Sequence, residues 1–309
     1  MRFLEASKYY QRHFGIKTTA DLIWKPRIFG RLFKKHFKYK DALLKWQKAL
    51  INDILQKYRT VSPSVNSMPD NYYIFTCWWQ GEDAMPEVIQ ECHKSLLSNA
   101  HGHRVITITK YNYTEYVDIP AYIIDKLHRG LISFSHFSDI LRLSLLSVYG
   151  GLWIDTALYV TKPLPNYPQF FMPRGYPNES LCEGRWCFGV IASPKGFNLI
   201  NFMLECLLKY WRCYNATIDY LMFDGFLRLG YENIPEISAI IDSLPIDSPN
   251  LHESRYTFME EVNEKHLADL INANLFLSLT WRICYPKTTD TGSMTYYGAL
   301  LKHNNHIND

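Results

Sequence analysis

One segment of this 309-residue chain, FSDILRLSLLSVYGGLWIDTALYVTKPLP, constrains the fold more than any other. Apolar residues recur in it at helical spacing after Ser138 and Asp139, which suit an N-cap and a first-turn acid, so the pattern predicts a helix. A double glycine should end this helix. Leu152 to Ile154 predict a buried strand, with Asp155 where that strand leaves the core. In α/β proteins a rigid carboxylate at such a position commonly faces a ligand.

Asp139 and Arg142 are three residues apart, so they share a face of the predicted helix. On spacing alone the pair fits equally well a surface salt bridge, worth about 0.3–0.5 kcal/mol, or two groups held at a site. Asp155 likewise fits either a turn carboxylate or a ligand-facing group. Ser-Asp-x-x-Arg, an apolar helix, Tyr-Gly-Gly, an aromatic residue and Asp in this order are much harder to explain by chance.

The rest of the chain alternates strand and helix patterns. Strands are predicted for 72–77, 104–109, 151–160 and 275–284, and helices for 85–97, 121–128, 201–214 and 218–229. Such alternation predicts an α/β fold with a mostly parallel sheet flanked by helices on both faces.

Residues 1–66 are predicted to form a basic helical N-terminal segment, ahead of a catalytic domain over residues 67–309. Residues 1–60 hold 15 Lys and Arg but only 4 acidic residues, interleaved with aromatic and aliphatic side chains. This composition suits a helix lying on an anionic membrane surface. A helix packed on the catalytic body with a solvated basic face fits it equally well. Nucleic acid is not expected as a partner, because no binding motif is present.

Several other function classes lack their motifs in this chain. There is no P-loop, no GxGxxG fingerprint and no nucleophile elbow. The 7 cysteines show no zinc-binding spacing and fit buried thiols in a reducing compartment. Without a secretion signal or an 18-residue apolar run, we expect a cytoplasmic protein, peripheral on the inner face of the cell membrane.

Three segments carry a resemblance to a known family: YIFTCWWQGEDAMPEVIQECHKSL from Tyr73, ISFSHFSDILRLSLLSVYGGLWIDTALYVTKPL from Ile132, and IDYLMFDGF from Ile218. They resemble the capsular polysaccharide synthesis glycosyltransferases, which are related to the DXD-type sugar transferases of yeast outer-chain mannan and to the glucosylating bacterial toxins. The resemblance covers roughly residues 70–302. It implies a GT-A type, Rossmann-like fold, a nucleotide-sugar donor, Mn²⁺ or Mg²⁺ as cofactor, and retention at the anomeric carbon.

The resemblance assigns Asp155 to the first acid of the Asp-x-Asp metal motif. The second acid is missing, because the sequence reads Asp155-Thr156-Ala157. Capsular members often show a similar Asp-Ala-Thr form. A further ligand must then come from elsewhere, and in related transferases a C-terminal loop supplies one. Asp290 and Ser293 are the candidates here.

The resemblance also suggests which residues hold the substrates. The predicted donor-binding residues are Trp78, Trp79, Gln80, Gly81, Ser138, Asp139, Arg142 and Gly151. At least one of the two tryptophans is expected to belong to the core. Arg142 is also predicted to act in catalysis, since its fork suits diphosphate oxygens. Asp224 is predicted to orient the acceptor or assist as a base, with Asp219 and Tyr220 as alternatives and a structural role weighted equally.

The sequence therefore predicts a retaining glycosyltransferase that moves a sugar from a nucleotide-diphosphate donor, expected to be a UDP-sugar, to a growing capsule or lipopolysaccharide glycan. The acceptor would be a glycan or a lipid-linked glycan. The alternative is a non-catalytic nucleotide-sugar or glycan-binding protein that has lost the second acid of the metal motif.

Overall fold

The computed structural model describes residues 3–29, 39–175, 177–178, 180–248, 251 and 253–305. The α-helices are Phe3–Thr19, Tyr39–Leu50, Asn52–Thr60, Glu87–Asn99, Tyr113–Tyr116, Ala121–His128, Phe134–Tyr149, Asn198–Cys213, Met222–Asn233, Pro235–Ser243, Ser254–Thr257, Glu264–Ala273 and Tyr296–Asn305. Ala20–Phe29 is a π-helical stretch and Glu82–Ala84 a 3₁₀ turn. The strands are β1 (Tyr73–Cys77), β2 (Arg104–Ile108), β3 (Gly151–Ile154), β4 (Leu158–Val160), β5 (Val190–Ser193) and β6 (Phe276–Ser278).

A four-stranded sheet with the order β2-β1-β3-β5 forms the centre of the protein. β1 is parallel to both β2 and β3, and β5 joins β3 in the antiparallel direction. The predicted α/β architecture, a mostly parallel sheet flanked by helices, is confirmed. The carboxyl ends of β1 and β3, at Cys77 and Ile154, lie at the same edge, where open α/β sheets bind their ligands.

The prediction of one strand over residues 151–160 is wrong, because the chain changes sheets within it. β3 belongs to the central sheet, whereas β4 pairs with β6 in a separate antiparallel ribbon. Between them the Asp155 N–H donates to Gly189 O at 2.8 Å, and the Leu158 N–H donates to Asp155 O at 3.0 Å. The chain therefore turns at Asp155, whose side chain is 39% exposed although every residue of β3 is buried.

The helix Phe134–Tyr149, called the central helix below, begins before the predicted position. Its N-cap is Ser133, whose Oγ accepts a hydrogen bond from the His136 N–H at 3.3 Å, so Ser138 is not the N-cap. Gly150 follows the helix with a φ of 69°, and its N–H donates to Leu146 O, which confirms the predicted glycine stop. The helix is buried on most of its faces, as its apolar composition demands.

Two predicted elements in the C-terminal half differ from the structure. The helix predicted over residues 218–229 is Met222–Asn233, and a loop precedes it. In this loop Asp219 Oδ1 accepts a hydrogen bond from the Leu221 N–H at 2.7 Å, a local bond that competes with helix formation. The strand predicted over residues 275–284 is only β6, since the chain leaves it for a turn.

The described N-terminal helices pack against the rest of the protein. Leu43, Ile51 and Leu55 are at most 1% exposed and share one hydrophobic core with the central sheet. Gln47 Nε2 donates a hydrogen bond to Met222 O at 2.8 Å. Residues 30–38 of the basic segment lie outside the described residues, and its boundary at residue 66 stays a prediction. In the part of the chain that the structure describes, no helix combines the length and hydrophobicity needed to cross a bilayer.

Candidate active site

A cavity of about 600 Å³ opens beyond the carboxyl ends of β1 and β3. Its walls come from the segment after β1, the central helix, the turn after β3, and the start of the helix Met222–Asn233. The predicted site residues in its lining are Trp78, Trp79, Gln80, Ser138, Asp139, Arg142, Asp155 and Asp224. The predicted residues that do not line it are Gly81, Gly151, Asp290 and Ser293.

Arg142 lies at the centre of a buried charge cluster. Its Nη2 atom is 3.2 Å from Asp139 Oδ1 and 3.3 Å from Asp155 Oδ1. Its Nη1 atom donates to Phe188 O at 2.5 Å, and its guanidinium carbon lies 5.1 Å from the centre of the Trp153 ring. The side chain is only 7% exposed. The Asp139–Arg142 pair is therefore a buried ion pair that also contacts the partly exposed carboxylate of Asp155, and not a surface salt bridge.

Asp139 does not titrate as an ordinary carboxyl group. Its pKa is raised to about 7: burial is the main cause of the rise, Arg142 opposes it, and the neighbouring carboxylates of Asp155 and Asp224 add to it. Near neutral pH, Asp139 is therefore divided between its charged and neutral forms.

The two carboxylate oxygens of Asp155 have different surroundings. Its Oδ1 atom accepts a hydrogen bond from Trp153 Nε1 at 2.7 Å and also faces Arg142. Beside Oδ2, a Cβ atom at Gly189 would lie 3.6 Å away, so the glycine keeps this side open. Ala157, at the position of the missing second acid, lines the cavity with no ligand atom in its side chain.

These residues place a clear limit on a metal site. Among the described residues, no group of three His, Cys, Asp or Glu side chains could hold a metal ion. Asp155 Oδ2 can supply one carboxylate oxygen, and Mg²⁺-type sites often use one or two carboxylates with substrate phosphates and water. The arrangement fits a cation shared with a bound diphosphate and does not fit one held by the protein alone.

Asp290 and Ser293 lie in a tight turn away from the cavity lining. The Thr289 N–H donates to Ser293 O at 2.8 Å, and the Gly292 N–H donates to Thr289 O at 2.9 Å. Their position gives no support to a ligand role. The C-terminal part of the chain does reach the cavity, but through Trp281 and Arg282.

Asp224 lies in the first turn of the helix Met222–Asn233. Its Oδ1 atom accepts a hydrogen bond from Trp186 Nε1 at 3.1 Å. Burial raises the pKa of Asp224, and the hydrogen bond from Trp186 opposes that shift. The carboxylate therefore has a fixed direction at the cavity wall, as a group that orients a substrate requires.

The two tryptophans after β1 have different surroundings. The Trp79 ring packs at 4.9–5.4 Å from Tyr113, Phe134 and Phe137 and extends the main hydrophobic core. Trp78 contacts Trp281 edge to face, with ring centres 6.5 Å apart. Trp79 is therefore anchored in the core, while Trp78 connects β1 to the C-terminal part of the cavity.

Gly81 and Gly151 have structural reasons for being glycine. Both have positive φ angles, 104° and 100°. A Cβ atom at Gly151 would lie 2.5 Å from Tyr73 O, so the close pairing of β1 and β3 excludes a side chain there. Gly81 lies in the turn between β1 and the helix Glu87–Asn99.

Several cavity residues escaped the sequence analysis. The lining residues that were not predicted include Phe188, Phe223, Trp281 and Arg282. Trp186, which donates a hydrogen bond to Asp224, was not predicted either. Trp281 and Arg282 lie within the strand predicted over residues 275–284, so no local signal marked them as site residues. Trp186 carried no local signal, since its partner is 38 residues away.

Comparison with known proteins identifies the family of the chain. No match is found among curated protein sequences. Among solved structures, the chain is similar to one described as "PaToxG Glycosyltransferase", with a TM-score of 0.41 and 17% sequence identity over 65% of this chain and 80% of that one. A family model described as capsular polysaccharide synthesis protein matches residues 27–300, which is most of the chain. The chain therefore belongs to the capsular polysaccharide synthesis protein family.

Proposed function

We propose that this protein is a glycosyltransferase with a GT-A type fold that moves a sugar from a UDP-sugar to a growing capsule or lipopolysaccharide glycan, with retention at the anomeric carbon. Family membership supports the general role. The observation that carries the proposal is Arg142, which is held between Asp139 and Asp155 in a cavity at the carboxyl edge of the sheet.

The reaction breaks the bond between the anomeric carbon and the diphosphate oxygen. The acceptor hydroxyl oxygen forms its new bond on the same face, and its proton passes to the departing diphosphate. Negative charge grows on the diphosphate as it leaves, and a fixed guanidinium can stabilise that charge without reorganising. Arg142 supplies such a group, since its orientation is set by two carboxylates and the Phe188 carbonyl.

The other cavity residues divide the remaining tasks. Asp139 positions Arg142, and Asp224 would accept a hydrogen bond from the acceptor hydroxyl. Asp155 Oδ2 would hold Mn²⁺ or Mg²⁺ with the donor phosphates, and the cation would supply Lewis-acid neutralisation of the diphosphate. The basic N-terminal segment would keep the enzyme on an anionic membrane, where lipid-linked acceptors are found.

UDP release from a panel of UDP-hexoses, measured with and without Mn²⁺, tests this proposal. We expect turnover by the wild-type protein and a loss of at least about 100-fold in Asp155→Asn, which keeps an acceptor oxygen for Trp153. Asp125→Asn, a change at a surface pair with Arg129, is the control and should keep full activity. NMR of the product gives the anomeric configuration.

The missing acid at position 157 is a specific observation in favour of the second candidate, a nucleotide-sugar-binding protein without turnover. Calorimetry separates the two candidates. UDP binding that is insensitive to Mn²⁺, together with no UDP release from any donor, would support the binding protein and contradict the enzyme.

A further inference from the structure

We propose that Tyr220 is an acceptor-binding residue on which a pyranose ring of the acceptor stacks at the mouth of the cavity. This inference rests on the proposed function and names a subsite for it. Tyr220 lines the cavity, yet 68% of its surface is exposed. Leu221 beside it lines the cavity as well and is 40% exposed.

The exposure of Tyr220 indicates which substrate it meets. Transfer of a sugar without hydrolysis requires the reactive donor to be shielded from water. The end of a growing glycan must arrive from solvent, so it meets the exposed part of the lining. An aromatic face with a polar hydroxyl matches a pyranose, which has an apolar face of C–H groups and a rim of hydroxyls.

The loop that carries Tyr220 is irregular but firmly held. Side chains from four separate helices bind its backbone and its Asp219 carboxylate. These bonds are Tyr9 Oη to Thr217 O (2.9 Å), Tyr39 Oη to Asp219 Oδ2 (2.8 Å), the Ile218 N–H to Tyr210 Oη (2.7 Å), and the contact of His136 Nε2 with Tyr220 O (3.3 Å). A binding group fixed in advance loses less entropy when its ligand arrives.

The position of Tyr220 next to Asp224 strengthens the assignment. Tyr220 lies in the loop just before the helix Met222–Asn233, Asp224 lies in the first turn of that helix, and both line the same cavity. A sugar stacked on Tyr220 would therefore have hydroxyls near the Asp224 carboxylate. Trp281, the other strongly exposed aromatic residue of the lining, packs against Trp78 after β1 and belongs to a different part of the wall.

Transfer and hydrolysis measured separately test the inference. The probes are the methyl and octyl glycosides of glucose, galactose and mannose as acceptors, with the UDP-hexose that the wild-type protein uses. We expect Tyr220→Ala to lower kcat/KM for the acceptor at least tenfold while donor KM and donor hydrolysis stay within twofold. Tyr220→Phe should retain most acceptor activity, since it keeps the aromatic face.

The matched control is Tyr256→Ala, because Tyr256 is 65% exposed and does not line the cavity. As a test of the loop anchor, Tyr39→Phe keeps the ring but removes the bond to Asp219, and it should lower acceptor kcat/KM with donor KM unchanged. Unchanged acceptor kcat/KM in Tyr220→Ala, or a rise in its donor KM instead, would overturn the inference. Absence of donor hydrolysis and transfer in the wild-type protein would contradict the proposed function itself.

Discussion

The guanidinium of Arg142 lies 3.3 Å from the carboxylate of Asp155, although one belongs to a helix and the other follows a strand. The contact joins the central helix to the point where the chain passes from the central sheet to the β4–β6 ribbon. Because Arg142 also contacts Asp139, one buried cation orients two of the three acids that line the cavity. Charge, packing and the candidate chemistry therefore depend on the same side chain.

Arg142→Ala should destabilise the protein by about 3–5 kcal/mol, because it leaves the Asp139 and Asp155 carboxylates without their cation. Urea unfolding measures this loss. Arg129→Ala, at a surface pair, is the matched control and should cost less than about 1 kcal/mol. Equal effects of the two changes would contradict the buried bridge.

Arg142→Lys should keep more stability than Arg142→Ala but recover little activity. An ammonium group retains the charge, but it cannot present the planar fork that contacts two carboxylates and that we propose for the diphosphate. We expect donor kcat/KM to fall at least tenfold. Activity equal to that of the wild-type protein would show that a point charge is sufficient.

The pKa of Asp139 predicts how stability depends on pH. Its pKa is about 7 in the folded protein against an ordinary value of 3.8, so the folded state binds the proton more tightly. Proton binding by Asp139 therefore adds to the free energy of unfolding in full below about pH 4, and this stabilisation is lost as the pH rises to 7. At about 1.36 kcal/mol per pKa unit, the loss is up to about 4 kcal/mol.

Asp139→Asn isolates that contribution, since the amide cannot ionise. The free energy of unfolding of the wild-type protein minus that of the variant should fall between pH 4 and pH 7 and then level off. Urea unfolding at four pH values gives the comparison. A difference that stays constant with pH would show that Asp139 titrates normally.

Trp186→Phe should raise the pKa of Asp224, because it removes the hydrogen bond that favours the carboxylate. If ionised Asp224 orients the acceptor, the acid limb of the pH profile of acceptor kcat/KM should move to higher pH. Trp46→Phe, in an N-terminal helix, is the control. No movement of the acid limb would favour a structural role for Asp224.

Gly150 and Gly196 allow a matched test of close packing at the turn into β3. Both have a φ of 69°, but a Cβ atom at Gly150 would lie 2.6 Å from Lys195 N, whereas nothing lies within 4 Å at Gly196. We expect Gly196→Ala to cost about 1–2 kcal/mol. Gly150→Ala should cost at least about 1–3 kcal/mol more in thermal unfolding, and equal losses would show that the neighbouring backbone yields.

Local signals explain what the sequence could predict. The central helix, its glycine stop, β3 and Asp155 follow one another directly, so periodicity and glycine chemistry were enough to place them. The closeness of Asp139 and Arg142 follows from helical spacing alone. These features place one part of the cavity wall, the central helix and the turn after β3, before any long-range contact is known.

Long-range contacts explain what the sequence could not predict. Asp155 marks where β3 leaves the core, but nothing in the apolar residues after it shows that they pair in a different sheet. The partnership of Trp186 with Asp224 and the arrival of Trp281 at Trp78 depend on how distant segments pack. The loop before Met222 was predicted to be helical because an apolar pattern does not reveal the hydrogen bond that Asp219 accepts from the Leu221 N–H.

The packing of the N-terminal helices limits how their contribution can be studied. Leu43, Ile51 and Leu55 belong to the same hydrophobic core as the central sheet. Gln47 donates a hydrogen bond to Met222, the first residue of the helix that carries Asp224. A chain shortened to begin after residue 60 would lose that interior filling and expose an apolar surface prone to aggregation. Neutralising single exposed lysines and arginines of this segment therefore tests the proposed membrane attachment separately from the proposed catalysis.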